Sequence, residues 1–171
     1  MRTPSRRRVL PARKPAGISV VIEEPRWRED AALLRLIRRA SRLALHEKTG
    51  AALTILLTDD ARLRALNAAF RGKDKATNVL SFPSPASDTL YLGDIALAYG
   101  VVEREARAQG KSFAAHAAHL VVHGVLHLTG HDHKKAKDAR LMEALETGML
   151  ARLGIADPYA PRPCTGPGKA A

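Results

Sequence analysis

The chain has 171 residues, of which 46% are hydrophobic, 26% charged and 4% aromatic, a balance that is typical of one folded domain and excludes a collagen-like or largely disordered chain. Its single cysteine excludes an intrachain disulfide and a metal site built from several thiolates, and its apolar runs fall short of the roughly 18 residues that a membrane-spanning helix needs. These features lead us to expect a cytoplasmic protein with no membrane contact.

The net charge of +11 is concentrated at the two ends of the chain. Residues 1–16 carry six basic side chains and no acidic ones, which predicts a disordered basic arm; the alternative is an arm that adds phosphate contacts on a nucleic acid. Residues 160–171 predict a disordered tail rich in proline and glycine. Residues 17–159 contain no repeat and no long linker, so we expect one domain there, with a net charge of only +3 because the two ends hold eight basic side chains.

Short β-branched or apolar runs bounded by Pro, Gly or Asp predict strands at residues 18–23, 51–58, 78–82 and 90–96. A first helix over residues 33–44 ends before Gly50, and a second runs from a cap at Thr58 to a stop at Gly72. A third spans residues 98–109, a fourth runs from a cap at Ser112 to Leu128, and a fifth spans residues 136–153. This order predicts an α+β domain in which a small mixed sheet of about four strands packs with about five helices.

Histidines in the fourth helix predict a metal site. His123 and His127 lie one turn apart on the same helix face, and Gly130 ends the helix so that His133 can turn back toward them. The pattern H-x3-H-x2-G-x2-H has the spacing of the metzincin proteases, in which three imidazoles hold a catalytic zinc with one open position. Those proteases have a glutamate as general base where this chain has Gly124, so the pattern predicts a metzincin-like zinc helix without the peptidase base.

Four neighbouring residues have more than one interpretation. His131 competes with His133 as the third ligand, and the protease-like spacing favours His133. His116 and His119 lie on nearly the same helical stripe as the ligands, where they either hold a ligand or substrate in place or are ordinary hydrogen-bonded histidines. Asp132 either orients a ligand imidazole or simply forms the turn. Imidazole ligands also suit nickel, copper and iron, although zinc is the expected ion.

A basic loop follows the second helix and is rich in hydrogen-bond donors. Arg71, Lys73, Lys75 and Asn78 provide a guanidinium group, two ammonium groups and an amide. Such a set suits the phosphates of a nucleic acid, because arginine offers a planar fork of donors and the lysines add point charge. The alternative is a polar turn that leads into the next strand.

The loop through Phe82 and Pro83, together with residues 123–133, strongly resembles the YbeY family of bacterial endoribonucleases and ribosomal RNA maturation factors. The resemblance extends over roughly residues 18–159. The other segments that are similar to the family are residues 92–95, 105–106, 109–111, 118–119, 142–146 and 153–159. One departure is His131, where many family members carry tyrosine.

The resemblance implies a zinc-dependent endoribonuclease that acts on single strands, matures the 3′ end of 16S rRNA and takes part in ribosome quality control. It implies one Zn²⁺ held by His123, His127 and His133, with Arg71 as the catalytic residue. Asp94 becomes a candidate contact with the small ribosomal subunit, and ribosome assembly factors become expected partners. Two other classes stay open, a metallopeptidase-like hydrolase and a non-catalytic ribosome assembly factor with a structural zinc.

Overall fold

One mixed sheet organises the chain. A computed structural model describes residues 17–45, 48, 50–85 and 90–160. Within them the strands are β1 (Ile18–Ile22), β2 (Ala52–Thr58), β3 (Val79–Pro83) and β4 (Tyr91–Ala98), in the order β1-β2-β4-β3. β1, β2 and β4 are parallel to one another, whereas β3 is an antiparallel edge strand on β4. The predicted disordered arm lies outside the described residues, as does the predicted tail from residue 161 onward.

Five helices surround the sheet in the described part of the chain, so the predicted α+β fold is confirmed. Ser112 caps the fourth of them through its side chain, and Gly72 ends the second in a left-handed conformation with φ of 67°. A short 3-10 turn, Pro25–Arg28, precedes the first helix. The helices are α1 (Ala31–Ala44), α2 (Asp60–Arg71), α3 (Tyr99–Ala108), α4 (Phe113–Leu128) and α5 (Ala136–Arg152).

The predicted cap of α2 is wrong by one residue. Asp59 caps this helix, because its carboxylate accepts a hydrogen bond from the backbone N–H of Arg62 at 2.7 Å. Thr58 is instead the last residue of β2, and its hydroxyl donates to the carboxylate of Glu23 at 2.9 Å. Thr58 and Asp59 are both favourable cap residues, and the helix begins after the second of them.

Helices cover both faces of the sheet, which is why every residue of β2 is buried. On one face Leu53, Ile55 and Leu57 belong to the main core together with α1, α4 and α5. On the other face Leu56 and its neighbours pack against α2. The edge strand β3 therefore lies between α4 on one side and α2 on the other.

α4 comes closest to the sheet at Gly124. A Cβ atom at this position would lie 3.0 Å and 3.1 Å from the two terminal methyl groups of Ile95 and 3.3 Å from the hydroxyl of Ser81. The Ser81 hydroxyl donates to the carbonyl oxygen of Gly124 at 3.2 Å. The absence of a side chain thus lets α4 lie against β3, which brings the neighbouring His123 to the strand edge.

None of the helices within the described residues is long and apolar enough to span a membrane.

Candidate metal centre

Three imidazoles meet at the C-terminal end of α4. Nitrogen atoms of His123, His127 and His133 all lie within 4.8 Å of one another. The ring centroids of His123 and His127 are 4.6 Å apart, and His133 lies 5.6 Å and 5.0 Å from them. Gly130, with φ of 98°, makes the turn that brings His133 back. The structure therefore brings together the three histidines that the spacing predicts.

Neighbouring groups fix the tautomers of two of these rings. Nδ1 of His123 lies 2.6 Å from a carboxylate oxygen of Glu146, and Nδ1 of His127 lies 3.1 Å from the backbone oxygen of His131. Because both partners only accept hydrogen bonds, each Nδ1 carries the proton, and in the neutral ring each Nε2 keeps a lone pair. These two Nε2 atoms face each other at 3.1 Å. Two lone pairs at that distance repel unless a cation lies between them, so the donor set fits a metal ion.

The environment also favours the neutral imidazole that a metal needs. Burial lowers the pKa of His127 below its usual value, and the neighbouring His123 and His133 lower it further. The hydrogen bond to the backbone oxygen of His131 opposes this shift but does not reverse it. Metal ions bind the deprotonated ring, so this environment prepares His127 as a ligand.

Glu146 links the three-histidine group to α5. Its side chain is fully buried, and its second carboxylate oxygen accepts from Nε2 of His119 at 2.9 Å and from the hydroxyl of Tyr159. Burial alone would raise the pKa of Glu146, but the hydrogen bonds from His119, His123 and Tyr159 outweigh it and lower the pKa to about 2. The carboxylate is therefore ionised at neutral pH and holds His123 from the side opposite the metal position.

Glu146 and Tyr159 are site residues that the sequence patterns did not predict. A usable signal was present for the first, since Glu146 shares one helical stripe with Met142, Met149 and Leu150, all of them buried. An acidic residue on the buried face of a helix needs a partner, and histidines are the available donors. Tyr159 gives no such signal, because it lies in an irregular segment after α5.

Arg71 lies at the free edge of β3. Ala98 and Ser84 donate from the backbone to Asn78 and Leu92, respectively. The backbone groups of residues 78 and 84 therefore point toward β4. Because this direction alternates along an antiparallel strand, the backbone N–H and C=O groups of residues 79 and 81 point away from β4. The guanidinium group of Arg71 contacts the outward-facing oxygen of Ser81 at 3.5 Å. Ser81 also contacts Gly124, which follows His123 on α4. The guanidinium group therefore contacts the same strand that α4 contacts next to His123.

The loop after Arg71 exposes positive charge. Lys73 and Lys75 are exposed, and neither forms a salt bridge with any residue in the described ranges. The one acidic side chain between them, Asp74, is held by both guanidinium nitrogens of Arg64 at 2.7 Å and 2.9 Å. The loop therefore presents uncompensated cations next to the free strand edge.

Comparison with known proteins identifies the family. A family model described as endoribonuclease YbeY matches residues 22–154. This chain belongs to the YbeY family. A YbeY endoribonuclease of Chelativorans sp. is 52% identical over 142 residues, which cover 78% of this chain and 87% of that protein. One of Rhodopseudomonas palustris is 50% identical over 151 residues, which cover 82% and 80%.

A solved structure is similar in fold. The solution structure of a Thermotoga maritima protein matches this chain with a TM-score of 0.58 and 24% sequence identity, covering 87% of this chain and 99% of that one. The resemblance that the sequence suggested is thus confirmed, and so is the α+β fold.

The other residues predicted around the three-histidine group take different positions. His131 contributes its backbone oxygen, whereas its imidazole is not part of the three-nitrogen group. Asp132 accepts from the backbone N–H of His133 at 2.7 Å and pairs with Lys134 at 3.1 Å, as a turn-forming aspartate does. His119 is one hydrogen bond removed from the ligands, through Glu146.

His116 lies in a separate buried network. Its Nε2 atom contacts the carboxylate of Glu105 at 2.8 Å, and the same oxygen of Glu105 accepts from the amide of Asn78 at 2.9 Å. The side-chain oxygen of Asn78 accepts from the backbone N–H of Val79 at 2.6 Å. Asn78 therefore ties the start of β3 to α3, and its predicted contact with RNA stays a prediction.

Asp94 lies inside the sheet. Its side chain is on β4, only 7% of the residue is exposed, and its carboxylate accepts from the hydroxyl of Tyr91. The Tyr91 oxygen is also 2.8 Å from the hydroxyl of Thr54. The predicted contact of Asp94 with the small ribosomal subunit stays a prediction, and in this conformation the carboxylate faces protein.

Proposed function

We propose that this chain is a metal-dependent endoribonuclease that cleaves single-stranded RNA with His123, His127 and His133 as the metal ligands. The observation that carries the proposal is the pair of Nε2 atoms that face each other at 3.1 Å while a carboxylate and a carbonyl hold the opposite ring nitrogens. Membership of the YbeY family, whose curated relatives are named endoribonucleases, supports RNA as the substrate.

Zinc is the proposed ion, one per chain. Three imidazoles leave one coordination position open, and a zinc ion in such a site acts as a Lewis acid and brings the pKa of a bound water to about 7. The protein's own contribution is orientation. Glu146 holds the ring of His123 and the backbone oxygen of His131 holds the ring of His127, so both rings present Nε2 to the same point.

Arg71 is proposed to stabilise the charge that builds up on the phosphate. Arg71 is exposed at the end of α2, and its guanidinium group carries donors beyond the one that contacts Ser81 on β3. Lys73 and Lys75 are proposed to hold neighbouring phosphates of the same RNA strand by their point charges. Asn67 positions the loop that carries them, because its side-chain amide donates to the backbone oxygen of Lys75 at 2.8 Å.

The proposed substrate is the 3′ end of 16S rRNA, with the small ribosomal subunit and ribosome assembly factors as partners in the cytoplasm. The family resemblance supports this assignment, and the uncompensated cations of the loop agree with a polyanionic partner.

The peptidase alternative lacks a proton acceptor at the expected position. A glutamate at residue 124 would place its Cβ against Ile95 and Ser81, both of which already touch the helix there.

The assembly-factor alternative needs a zinc that holds the fold together. The core instead surrounds most of α4 without involving the ligands, since Val121, Val122 and Val125 are fully buried.

The test compares substrates with and without metal. Purified protein is offered a single-stranded RNA, the same RNA annealed to its complement, and an unfolded protein, each with chelator and after zinc is added back. We expect cleavage of the single strand alone, loss of cleavage with chelator and recovery with zinc. Cleavage of the unfolded protein that survives Arg71→Ala would contradict the proposal and favour the peptidase.

A further inference from the structure

Two aromatic side chains meet where α2 ends against β3. The rings of Phe70 and Phe82 are 5.1 Å apart and inclined by 67°, an edge-to-face contact. Phe70 is 39% exposed although it is large and apolar, and Phe82 is half-buried. We call these two residues the aromatic pair. The ring of Phe70 therefore contacts Phe82 and still presents part of its surface to solvent.

The aromatic pair lies next to the proposed phosphate position. Phe70 precedes Arg71 in the chain, and Phe82 follows Ser81. The contact between the two rings and the contact between Arg71 and Ser81 therefore join neighbouring residues of α2 and β3. Phe82 packs on the face of the sheet that α2 covers, whereas the Ser81 hydroxyl reaches α4. The pair therefore lies across the free edge of β3 from the three histidines.

The charges around the pair identify the kind of molecule that fits it. Arg71, Lys73 and Lys75 are exposed nearby, and the carboxylate of Asp74 is occupied by Arg64. An exposed ring bordered by cations matches a polyanion that carries flat apolar groups, which is the chemistry of a nucleic acid strand. A base within a duplex is already stacked on its neighbours, so an unpaired base is the better fit.

We infer that Phe70, supported by Phe82, is a stacking subsite for one unpaired base next to the phosphate that Arg71 holds. This inference rests on the proposed function. A strand that crosses the free edge of β3 places one phosphate at Arg71 and stacks a neighbouring base on Phe70. The subsite selects for single strands because only an unpaired base offers a free ring face.

The test is the KM of Phe70→Ala for cleavage of single-stranded RNA. Stacking of a base on an aromatic side chain stabilises the complex, so we expect KM to rise about fivefold to tenfold. The value of kcat stays close to that of the wild type, because Phe70 contacts a base and not the reacting phosphate. A matched RNA that lacks the bases beside the cleaved bond but keeps every phosphate should bind both proteins equally.

Three further variants keep the test decisive. Phe70→Tyr retains the ring and should retain KM, whereas Phe70→Leu keeps apolar packing against Phe82, loses the ring and should raise KM even if Phe70→Ala folds poorly. Leu141→Ala removes an apolar side chain of α5 that is 55% exposed and should leave KM unchanged.

Two results would overturn the inference while the proposed function stands: an unchanged KM in Phe70→Leu, or an equal rise in KM on the RNA without bases. A wild-type protein that cleaves no RNA would instead overturn the proposed function and this inference with it.

Discussion

At the scale of single residues, the geometry of the three-histidine group depends on a side chain outside the group. The carboxylate of Glu146 contacts both His119 and His123, and it comes from α5, whereas these two histidines lie on α4. Partners of this kind fix the ring orientation and raise the basicity of the coordinating nitrogen. The site therefore needs the contact between α4 and α5 as much as it needs the histidine pattern.

Glu146→Gln is expected to weaken metal binding. The amide has nearly the same shape but lacks the charge that keeps the proton on Nδ1 of His123, so we expect metal affinity to fall about 10-fold to 100-fold. Competition with a coloured zinc chelator measures it, and thermal unfolding of the metal-free protein checks the fold. Glu143→Gln removes an exposed carboxylate from the same helix as the control. Equal affinities in the two folded variants would contradict the role given to Glu146.

Residue types and spacing predicted that three histidines meet, because His123 and His127 lie one helical turn apart and Gly130 turns the chain so that His133 comes back to them. The same reasoning could not show the contact of Glu146 with His123, which joins residues 23 positions apart. It also did not show that the Asn78 side chain bonds to Glu105 and to the backbone of Val79. Local patterns carry no information about which distant partner a polar side chain finds.

At the scale of secondary structure elements, the sequence predicted where most helices begin and end, since Ser112 and Gly72 act locally. It did not predict that β3 would be an antiparallel edge strand, because strand pairing is decided by contacts with β4. That pairing turns the backbone of Ser81 toward Arg71 and the side chain of Ser81 toward α4. The position of the strand edge next to the ligands is thus a property of the assembled sheet.

Two helical glycines should respond to alanine in opposite ways. Gly124→Ala gains about 1 kcal/mol of helix propensity, but its Cβ meets the fully buried Ile95 at 3.0 Å, and overpacking of this kind costs about 1–3 kcal/mol. Gly148→Ala on α5 meets nothing within 4 Å and should gain about 0.5–1 kcal/mol. Urea unfolding measures both free energies. Equal stabilisation by the two substitutions would contradict the close packing of α4 on the sheet.

The buried His116 predicts a pH dependence of stability. Burial lowers its pKa below 6.5, and the Glu105 carboxylate only partly opposes this shift. The unfolded chain therefore binds the proton more readily, so the contribution of His116 is fully present above about pH 6.5 and is lost as the pH falls. Urea unfolding in chelator at about pH 7.5 and about pH 5.5 should show a smaller loss of stability in His116→Gln than in the wild type. An equal loss in both would show that His116 is not the titrating group.

At the scale of the whole molecule, the core and the metal site are largely separate. The core surrounds the sheet and most of α4, whereas His133 is exposed in the segment between α4 and α5. We therefore expect the metal-free protein to keep its helices and strands, with a melting temperature that rises as metal is added, because a ligand that binds only the folded state stabilises it. Circular dichroism in chelator measures this. Loss of the helical signal on chelation would favour a structural metal.

Cleavage of RNA by this chain is expected to depend on a metal ion held by His123, His127 and His133. The most direct measurement is RNA cleavage and zinc content of His127→Ala, His133→Ala and His131→Ala, with the fold of each checked by circular dichroism. His131 is the matched control, since it contributes only a backbone oxygen that alanine retains. We expect the first two variants to stay folded and lose both zinc and cleavage, while His131→Ala keeps both. Cleavage that persists in folded His127→Ala, or is lost in His131→Ala instead of His133→Ala, would show that these three histidines do not form the cleaving site.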